Sequence, residues 1–572
     1  MTVIETRPET EAPPIGNAVP PKTLDALVGS SDHKTIGRTW IAGGLVLLTA
    51  ATVISGLAGF EASDLGGFAL VEDGDQFAQL WSLGRVLFLF GGVLPILVGL
   101  GTFLVPLQIG APALAFARGA SGAVWTWMVG IGLLIGSYVL NGGPGGGQGD
   151  FVVLWATSLG VVALALMWAM TILATTILGA RTRGMSLDRV PATTWSFFVF
   201  SLFGLLALPL LIAELVIVYV QVRHGFLPLG SRLGLTGVVD SLSLAPTIYW
   251  LGIPVLGIAA DVIGTHTSRP VRAHRAVLAS IGMLGITAFA SEFFSFASSR
   301  TADFNNELLI IGVAASILPI LGVLGLVGDS LRQGTLRMTT ALLGSLIAGL
   351  VLLLASVTSL LAQAAPVAVF IDEDTPVSFD LDRVLVLNGT TFHDGIRGMV
   401  LAATMVAIIS ALHHWAPKLW GRRLSEPLGL LGVASAAAGG VLWGLGSILA
   451  GIDDQAAYPV ADLVGGENVE FFNLIAAVGM VLVVIAAVTV TVNALGTALA
   501  KGSGKGPDRW TGATLEWATA SPPAFGNFER APVVRSALPL IDGKSDTGSG
   551  PAPGDDATAA DDDATTDLES SR

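Results

Sequence analysis

The chain has 572 residues, of which 52% are apolar and 13% charged, and its mean hydropathy is +0.73. A soluble protein of this length could not cover its surface with so few charges, since about 25% of residues in ordinary globular domains are charged. The net charge of −14 repels nucleic-acid phosphates, and the absence of cysteine excludes disulfides and thiolate ligands. The composition therefore indicates a polytopic membrane protein.

The sequence predicts an all-α protein with twelve transmembrane helices, because twelve apolar stretches are long enough to cross a bilayer. They lie near 38–60, 78–106, 121–142, 152–180, 193–222, 243–264, 274–297, 305–328, 338–363, 396–416, 427–450 and 471–498. Residues 1–37 should form a cytoplasmic N-terminal segment, 38–498 the membrane domain and 499–537 a cytoplasmic C-terminal extension. Residues 538–572 carry nine acidic and two basic side chains, which predicts a disordered acidic tail.

Basic residues are distributed unevenly between alternate loops. One set of loops carries twelve lysines and arginines and the opposite set carries four. The positive-inside rule therefore predicts that both termini are cytoplasmic, and we expect an integral protein of the bacterial plasma membrane. No internal repeat is visible, which disfavours an inverted-repeat transporter.

Four motifs occur in order along these predicted spans. Residues 31–37 (SDHKTIG) precede the first span, and residues 105–112 (VPLQIGAP) end the second. Residues 245–249 (APTIY) open the sixth span, and residues 514–517 (TLEW) follow the last, with SPP and NF shortly after. In this order and spacing the chain resembles subunit I of the haem–copper cytochrome c oxidases over about residues 26–537. The resemblance implies a twelve-helix bundle in an aerobic respiratory chain, working with other membrane subunits.

The resemblance places the family's ligand positions on residues that do not ligate haem or copper. It implies six histidines in spans two, six, seven and ten, and both metals select neutral imidazole nitrogen. In this sequence those positions are Gly84 or Arg85, Ala245, Ser291, Glu292, Gly395 and Arg397. Tyr249, the family tyrosine one helical turn after Ala245, is retained.

Other positions that matter in the family also differ. The glutamate and aspartate of the family's proton pathways correspond to Thr247 and Ala113. The paired arginines that hold haem propionates in the family fall at Asp453, Asp454 or Gln455. The charge is therefore reversed where the family holds an anionic group.

These replacements predict that the chain carries no haem, no copper and no other metal. The seven histidines are all predicted in loops or at span ends: His33, His224, His266, His274, His393, His413 and His414. The His413–His414 pair is interpreted as interfacial. His393 and Asp394 lie near the place where the family binds magnesium, but we predict no metal there.

The predicted function is therefore that of a subunit I-like membrane protein, non-catalytic and serving the structure or assembly of an oxidase or respiratory supercomplex in the lipid bilayer. One alternative is a working terminal oxidase, transferring electrons from cytochrome c to oxygen, with unconventional ligation. The other is a small-molecule or proton transporter that reuses the emptied haem cavity. No nucleic acid is expected as a partner.

Four charged residues are predicted inside spans or at their edges, where an ionised side chain costs at least about 2.5 kcal/mol unless it is paired or hydrated. They are Arg85, Glu214, Glu292 and Arg397. Asp453 and Asp454, in the last outer loop, are candidate charges at the same pocket. Arg85 and Arg397 should lie at similar depth, and we expect at least one of them to pair with Asp453, Asp454 or Glu292. In the alternative, both arginines extend to the membrane interface.

Overall fold

The computed structural model describes most of the chain. It covers residues 29–63, 71, 74–144, 146–224, 245–271, 273–300, 306–368, 387, 390–457, 466–500, 512–528 and 530–541. For residues 245–249, 291–300, 306–310 and 363–368 the description is of the backbone alone. The predicted acidic tail beyond residue 541 lies outside the described residues, as does the 501–511 part of the predicted C-terminal extension.

The described secondary structure is helical apart from one isolated bridge between Thr390 and Ala456. The helices are α1 (His33–Glu61), α2 (Gly74–Val86), a π-helix (Leu87–Val93), α3 (Leu94–Ile109), α4 (Ala117–Val139), α5 (Gly149–Gly179), α6 (Ala192–His224), α7 (Ala245–His266), α8 (His274–Arg300), α9 (Asn306–Gln333), α10 (Thr340–Ala368), α11 (Phe392–Trp420), α12 (Glu426–Ile452), α13 (Val469–Leu499) and a final 3-10 turn (Leu515–Ala518).

Each of the twelve predicted spans overlaps these helices over most of its described length, and the second is formed by α2, the π-helix and α3 together. Over the residues that the structure describes, ten helices are long and apolar enough to cross a membrane. The apolar parts of α7 and α8 are shorter, at Trp250–His266 and His274–Ala290. The predicted all-α membrane fold is confirmed.

Helix α1 begins five residues before the predicted first span. Asp32 has an extended backbone, and its Oδ1 accepts a hydrogen bond from the Lys34 amide at 3.3 Å, so it caps the helix. Burial alone would raise the pKa of Asp32, but the hydrogen bond and charge of Lys34, with the charge of His33, lower that pKa below its ordinary value. The predicted domain boundary at residue 37 therefore falls inside a helix.

The middle of the second span is the π-helix, in which hydrogen bonds run from residue i+5 to residue i. The amide of Leu94 donates to the carbonyl of Leu89 at its end. The π-helix begins at Leu87, two residues after Arg85.

The centre of the bundle is formed by α3 and α11. Every residue of α3 is buried, and so is nearly all of α11. Glycines let α1 approach α3 closely, because a Cβ on Gly99 would lie 2.8 Å from the carbonyl oxygen of Gly37.

We call the end of the bundle where α1 begins and α3 and α11 end the terminal face, and the other end the opposite face. Helix α3 ends there at Gly110, whose φ of +73° is left-handed and favours glycine. A Cβ on Gly110 would lie 2.9 Å from both Thr182 and Pro532. The described part of the C-terminal extension therefore packs on the terminal face.

Candidate functional site

Two arginines and one aspartate join the second span to α11 near the opposite face. Arg85 Nη2 pairs with Asp394 Oδ2, and Arg397 Nε lies 3.6 Å from Asp394 Oδ1. The arginines are only 6% and 9% exposed. Asp394 lies three residues before Arg397, a spacing that places both side chains on one helix face. We call these three residues the Arg–Asp–Arg site.

Aromatic rings also lie beside both arginines. The guanidinium carbon of Arg85 lies 3.6 Å from the ring centroid of Trp81, and that of Arg397 lies 5.7 Å from the ring centroid of Trp443. A cation over an aromatic face contributes up to about 2 kcal/mol when the pair is desolvated. Both arginines are therefore held inside the bundle, and the alternative in which they extend to the interface is wrong.

The carboxylate of the Arg–Asp–Arg site is not one of the predicted partners. Among the described ion pairs, neither Asp453 nor Asp454 contacts an arginine of the site. Asp453 Oδ2 instead accepts a hydrogen bond from the Asn468 amide at 3.1 Å, and Asp454 lies exposed in a turn with φ +64°. Asp394 is the partner because it is already positioned one helical turn from Arg397.

The other predicted site residues lie elsewhere. Ala245 and Tyr249 lie in the first turns of α7, and Ser291 and Glu292 lie in α8. Their side chains fall outside the described residues, so their roles stay predictions. Glu214 is half-buried on α6.

Histidine does not fit at the two glycine positions. A Cβ on Gly84 would lie 2.6 Å from Ser55 Oγ, and a Cβ on Gly395 would lie 2.5 Å from the carbonyl oxygen of Gly444. A guanidinium group has only N–H donors and no acceptor, so the side chains of Arg85 and Arg397 are not haem-iron ligands. The residues at these second-span and α11 positions therefore do not fit axial ligation of a haem.

A buried histidine pair lies toward the terminal face. His266 Nε2 and His414 Nδ1 share a hydrogen bond of 3.1 Å, and Thr339 Oγ1 lies 3.1 Å from His266 Nδ1. His413 and His414 are buried within α11 rather than exposed at its surface. Helix α11 continues past residue 416, where the predicted span ended, and the C-terminal extension covers its end.

A second polar network connects the C-terminal extension to the centre of the bundle. Glu516 Oε1 accepts hydrogen bonds from Gln108 Nε2 at 3.0 Å and Trp415 Nε1 at 3.3 Å, while Thr194 Oγ1 donates to Gln108 Oε1 at 2.7 Å. Burial raises the pKa of the Glu516 carboxyl, and the nearby Asp261 charge raises it further. Its Oε2 is buried without a hydrogen-bond partner among the described residues.

The first motif of the sequence also meets the C-terminal extension here. Asn527 Oδ1 lies 3.0 Å from His33 Nε2 and accepts a hydrogen bond from Lys34 Nζ at 3.2 Å. Asn527 Nδ2 donates to the Ala111 carbonyl at 2.7 Å. These contacts and the Glu516 network together form what we call the terminal junction. Within the described part of the chain, no group of three or more His, Cys, Asp or Glu side chains is arranged to hold a metal ion.

Comparison with known proteins agrees with the fold. The family described as "Cytochrome C and Quinol oxidase polypeptide I" matches residues 35–377. The chain therefore belongs to this family of integral membrane proteins. It is 25% identical to cytochrome c oxidase subunit 1 of Synechocystis sp., over 80% of this chain and 83% of that protein. It is also 25% identical to cytochrome c oxidase subunit 1 of Corynebacterium diphtheriae, over 95% of this chain and 97% of that protein.

A solved structure has the same fold. It is a cryo-EM structure of a heme-copper terminal oxidase dimer, which superposes with a TM-score of 0.62 at 14% identity and covers 82% of this chain and 84% of that one. The predicted membership of the haem–copper oxidase subunit I family is confirmed.

The prediction that the chain carries no haem and no copper is wrong as a statement about the whole protein. The family match and the heme-copper oxidase neighbour overturn it, and four histidines are buried among the described residues, His33, His266, His413 and His414. The prediction extended a mismatch at particular positions to the entire chain. Changed residues at expected ligand positions do not establish that a cofactor is absent.

Sequence reasoning missed three participants in these sites. Asp394 had a usable signal, because an acid three residues before an intramembrane arginine is a natural ion-pair partner. Glu516 was noticed only as part of a family motif. The contact between His266 and His414 had no signal, since 148 residues separate them in the chain.

Proposed function

We propose that the chain is a membrane subunit of a respiratory oxidase assembly and contributes structure or assembly rather than oxygen reduction. The observation that carries this proposal is the Arg–Asp–Arg site, because it occupies positions at which the resemblance implies haem ligands. Arg85 and Arg397 meet at Asp394 there. An ion-pair contact thus joins two helices that the family joins through a ligated haem.

The packing around the site supports the same conclusion. A Cβ on Gly84 would lie 2.6 Å from Ser55 Oγ and one on Gly395 would lie 2.5 Å from the Gly444 carbonyl oxygen, so a side chain at either position would require its neighbours to shift. The aromatic rings of Trp81 and Trp443 lie beside the arginines. A bundle closed in this way keeps the outer shape that other membrane subunits recognise, while it supplies no ligand to iron at this place.

The proposal that the chain works within a multi-subunit oxidase is supported by its relatives, which are named as one subunit of cytochrome c oxidases. We propose that this chain likewise assembles with other oxidase subunits. We also propose that both termini are cytoplasmic, because the loops on the side of the termini carry twelve basic residues and the opposite loops carry four. Protease added outside intact cells should leave residues 538–572 intact, and cleavage there would reverse this orientation.

Oxygen consumption tests the proposal directly. The full chain is purified from native membranes with its co-purifying subunits, then separated from any second subunit I-type chain, and haem is quantified in each sample. We expect turnover with reduced cytochrome c or a quinol only in samples that retain the second chain, whatever the haem content. Turnover by this chain alone at or above about 1 per second, the lower end of ordinary enzyme rates, would refute the proposal.

One observation favours a second candidate, a working oxidase with unconventional ligation. His266 and His414 bring two buried imidazoles together, and imidazole is the ligand type that haem iron and copper use. Under this candidate the isolated chain consumes oxygen, and His414→Leu abolishes that activity. His393→Leu, at the opposite face, is the matched control.

A further inference from the structure

A long apolar groove runs between α6 and α8 on the outside of the bundle. Its volume is about 830 Å³. Trp195 closes its end at the terminal face, where the indole Nε1 donates to the Leu278 carbonyl at 2.8 Å. The side chains of Leu202, Leu206 and Ile286 along the groove are 42%, 52% and 71% exposed. The groove therefore faces the lipid rather than the protein interior.

Two glycines of α8 form the floor of the groove. A Cβ on Gly285 would lie 2.3 Å from Val199 Cγ1, so α8 approaches α6 closely at this point. A Cβ on Gly282 would lie 3.6 Å from the Trp195 ring, which is ordinary van der Waals contact. A side chain at position 282 would thus fit the backbone and fill the groove.

A polar cavity of about 530 Å³ continues the groove at the terminal face. The cavity and the groove share Asp188 and Arg275, which form an ion pair of 2.8 Å. Arg189, His274 and Ser536 also line the cavity. The His274 ring contacts the Val190 carbonyl at 2.9 Å. Among the described residues that line the cavity, two are basic, Arg189 and Arg275, and one is acidic, Asp188.

The length of the groove matches one leaflet. Its apolar lining runs from Trp195 to Leu206 on α6 and from Leu278 to Phe289 on α8. Each stretch makes eleven steps along its helix, and at a rise of about 1.5 Å per step these span about 17 Å, close to half of a hydrocarbon core about 30 Å thick. Trp195 lies at the level where aromatic residues meet lipid headgroups.

We propose that the groove and the cavity form one binding site for an anionic phospholipid, with an acyl chain along α6 and α8 and the phosphate beside Arg275 and Arg189. Basic pockets between transmembrane helices bind anionic headgroups in this way. A transmembrane helix of a partner subunit would need no positively charged cavity at the end of its groove. The charge therefore favours the lipid over the helix.

Native mass spectrometry of the full chain, released from mixed micelles containing equal amounts of phosphatidylglycerol and phosphatidylcholine of one chain length, tests the site. We expect phosphatidylglycerol to be retained preferentially. Arg275→Gln should reduce that preference about fivefold, because one basic residue near the surface contributes about 1 kcal/mol. Arg332→Gln is the matched control, since it is equally exposed and pairs with Asp329 near the same face. It should leave the preference unchanged.

The apolar part is tested with Gly282→Leu, which should reduce retention of both lipids. Gly160→Leu is its control, because no atom outside its own helix lies within 4 Å of a Cβ there. Equal retention of both lipids by the native chain, or identical effects of each variant and its control, would overturn the proposal. A photo-crosslinker at Leu202 should yield a phospholipid adduct, and a protein adduct would assign the groove to a partner helix instead.

Discussion

The two faces of the bundle use polar side chains in different ways. At the terminal junction, Asn527 and Glu516 connect the C-terminal extension to α1, α3 and α11 through hydrogen bonds. At the opposite face, the Arg–Asp–Arg site places three charges in the bundle with aromatic rings beside them. The terminal junction is built from the motifs that carry the family resemblance, whereas the two arginines of the Arg–Asp–Arg site depart from it.

This difference separates what specifies the fold from what specifies the chemistry. Residues 31–37, 105–112 and 514–528 are distant in the chain yet contact one another at the terminal face. These motifs therefore stabilise the ends of the helices, and their presence does not indicate whether a redox group is bound. The fourth motif, at residues 245–249, opens α7, where the description is of the backbone alone.

The largest expected effect comes from removing the shared carboxylate. Asp394→Ala leaves Arg85 and Arg397 buried without that acid, and breaking a buried pair by removing one partner costs about 3–5 kcal/mol. We expect a loss of this size in the free energy of unfolding in detergent, followed by tryptophan fluorescence. Asp453→Ala is the control, because its carboxylate accepts an amide hydrogen bond outside the site, and it should cost about 1 kcal/mol. Equal effects of the two variants would remove the distinction between the site and its surroundings.

Packing at a family ligand position is tested by Gly395→Ala. Its Cβ would lie 2.5 Å from the Gly444 carbonyl, so α11 and α12 must separate, at a cost of about 1–3 kcal/mol. Gly132→Ala is the matched control, with no atom outside its own helix within 4 Å. The unfolding midpoint of both variants is measured in the same detergent. A Gly395→Ala protein as stable as the control would mean that this position can accommodate a side chain.

At the terminal junction, Asn527→Ala removes the partner of His33, Lys34 and the Ala111 carbonyl. We expect the free energy of unfolding in detergent to fall by about 1–3 kcal/mol, because buried polar groups are left without hydrogen-bond partners. Asn473→Ala is a comparison at the opposite face, where an equally buried asparagine donates one hydrogen bond to the Ala62 carbonyl. It should cost less. If Asn473→Ala is the more destabilising variant, the terminal junction is not the stronger connection.

The smallest expected effect is a change in how the stability of the folded chain depends on pH. The raised pKa of Glu516 means that the folded chain holds this proton more tightly than the unfolded chain, whose ordinary value is 4.5. The stabilisation is complete below that value and is lost as the pH rises through the pKa of the folded chain. Glu516→Gln keeps an oxygen acceptor for Gln108 and Trp415 and removes the titration. The native chain should therefore lose stability relative to Glu516→Gln as the pH rises. The melting temperature of Glu516→Gln minus that of the native chain should increase from pH 4 to pH 8, and a constant value would contradict the pKa shift.

The fold was predictable because long apolar stretches leave few alternatives. The positions of the spans and the depth of Arg85 and Arg397 followed from hydropathy and helical rise. The helix start at Asp32 and the π-helix were missed, because capping geometry and one irregular turn barely alter an apolar pattern. The partner of the two arginines was missed because the family resemblance directed attention to a distant loop, while Asp394 was one turn away. The junction between Gln108 and Glu516 depends on tertiary packing across 408 residues, for which a single sequence provides no signal.

An ion pair joins the second span to α11 at positions where the resemblance implies haem ligands. A double-mutant cycle between Arg85→Leu and Asp394→Leu, read as the free energy of unfolding of the full chain in detergent, measures this contact directly. We predict a favourable coupling of about 1–3 kcal/mol, within the range for contacting residues in one network. A coupling within about 0.3 kcal/mol of zero, the value for independent sites, would contradict the account.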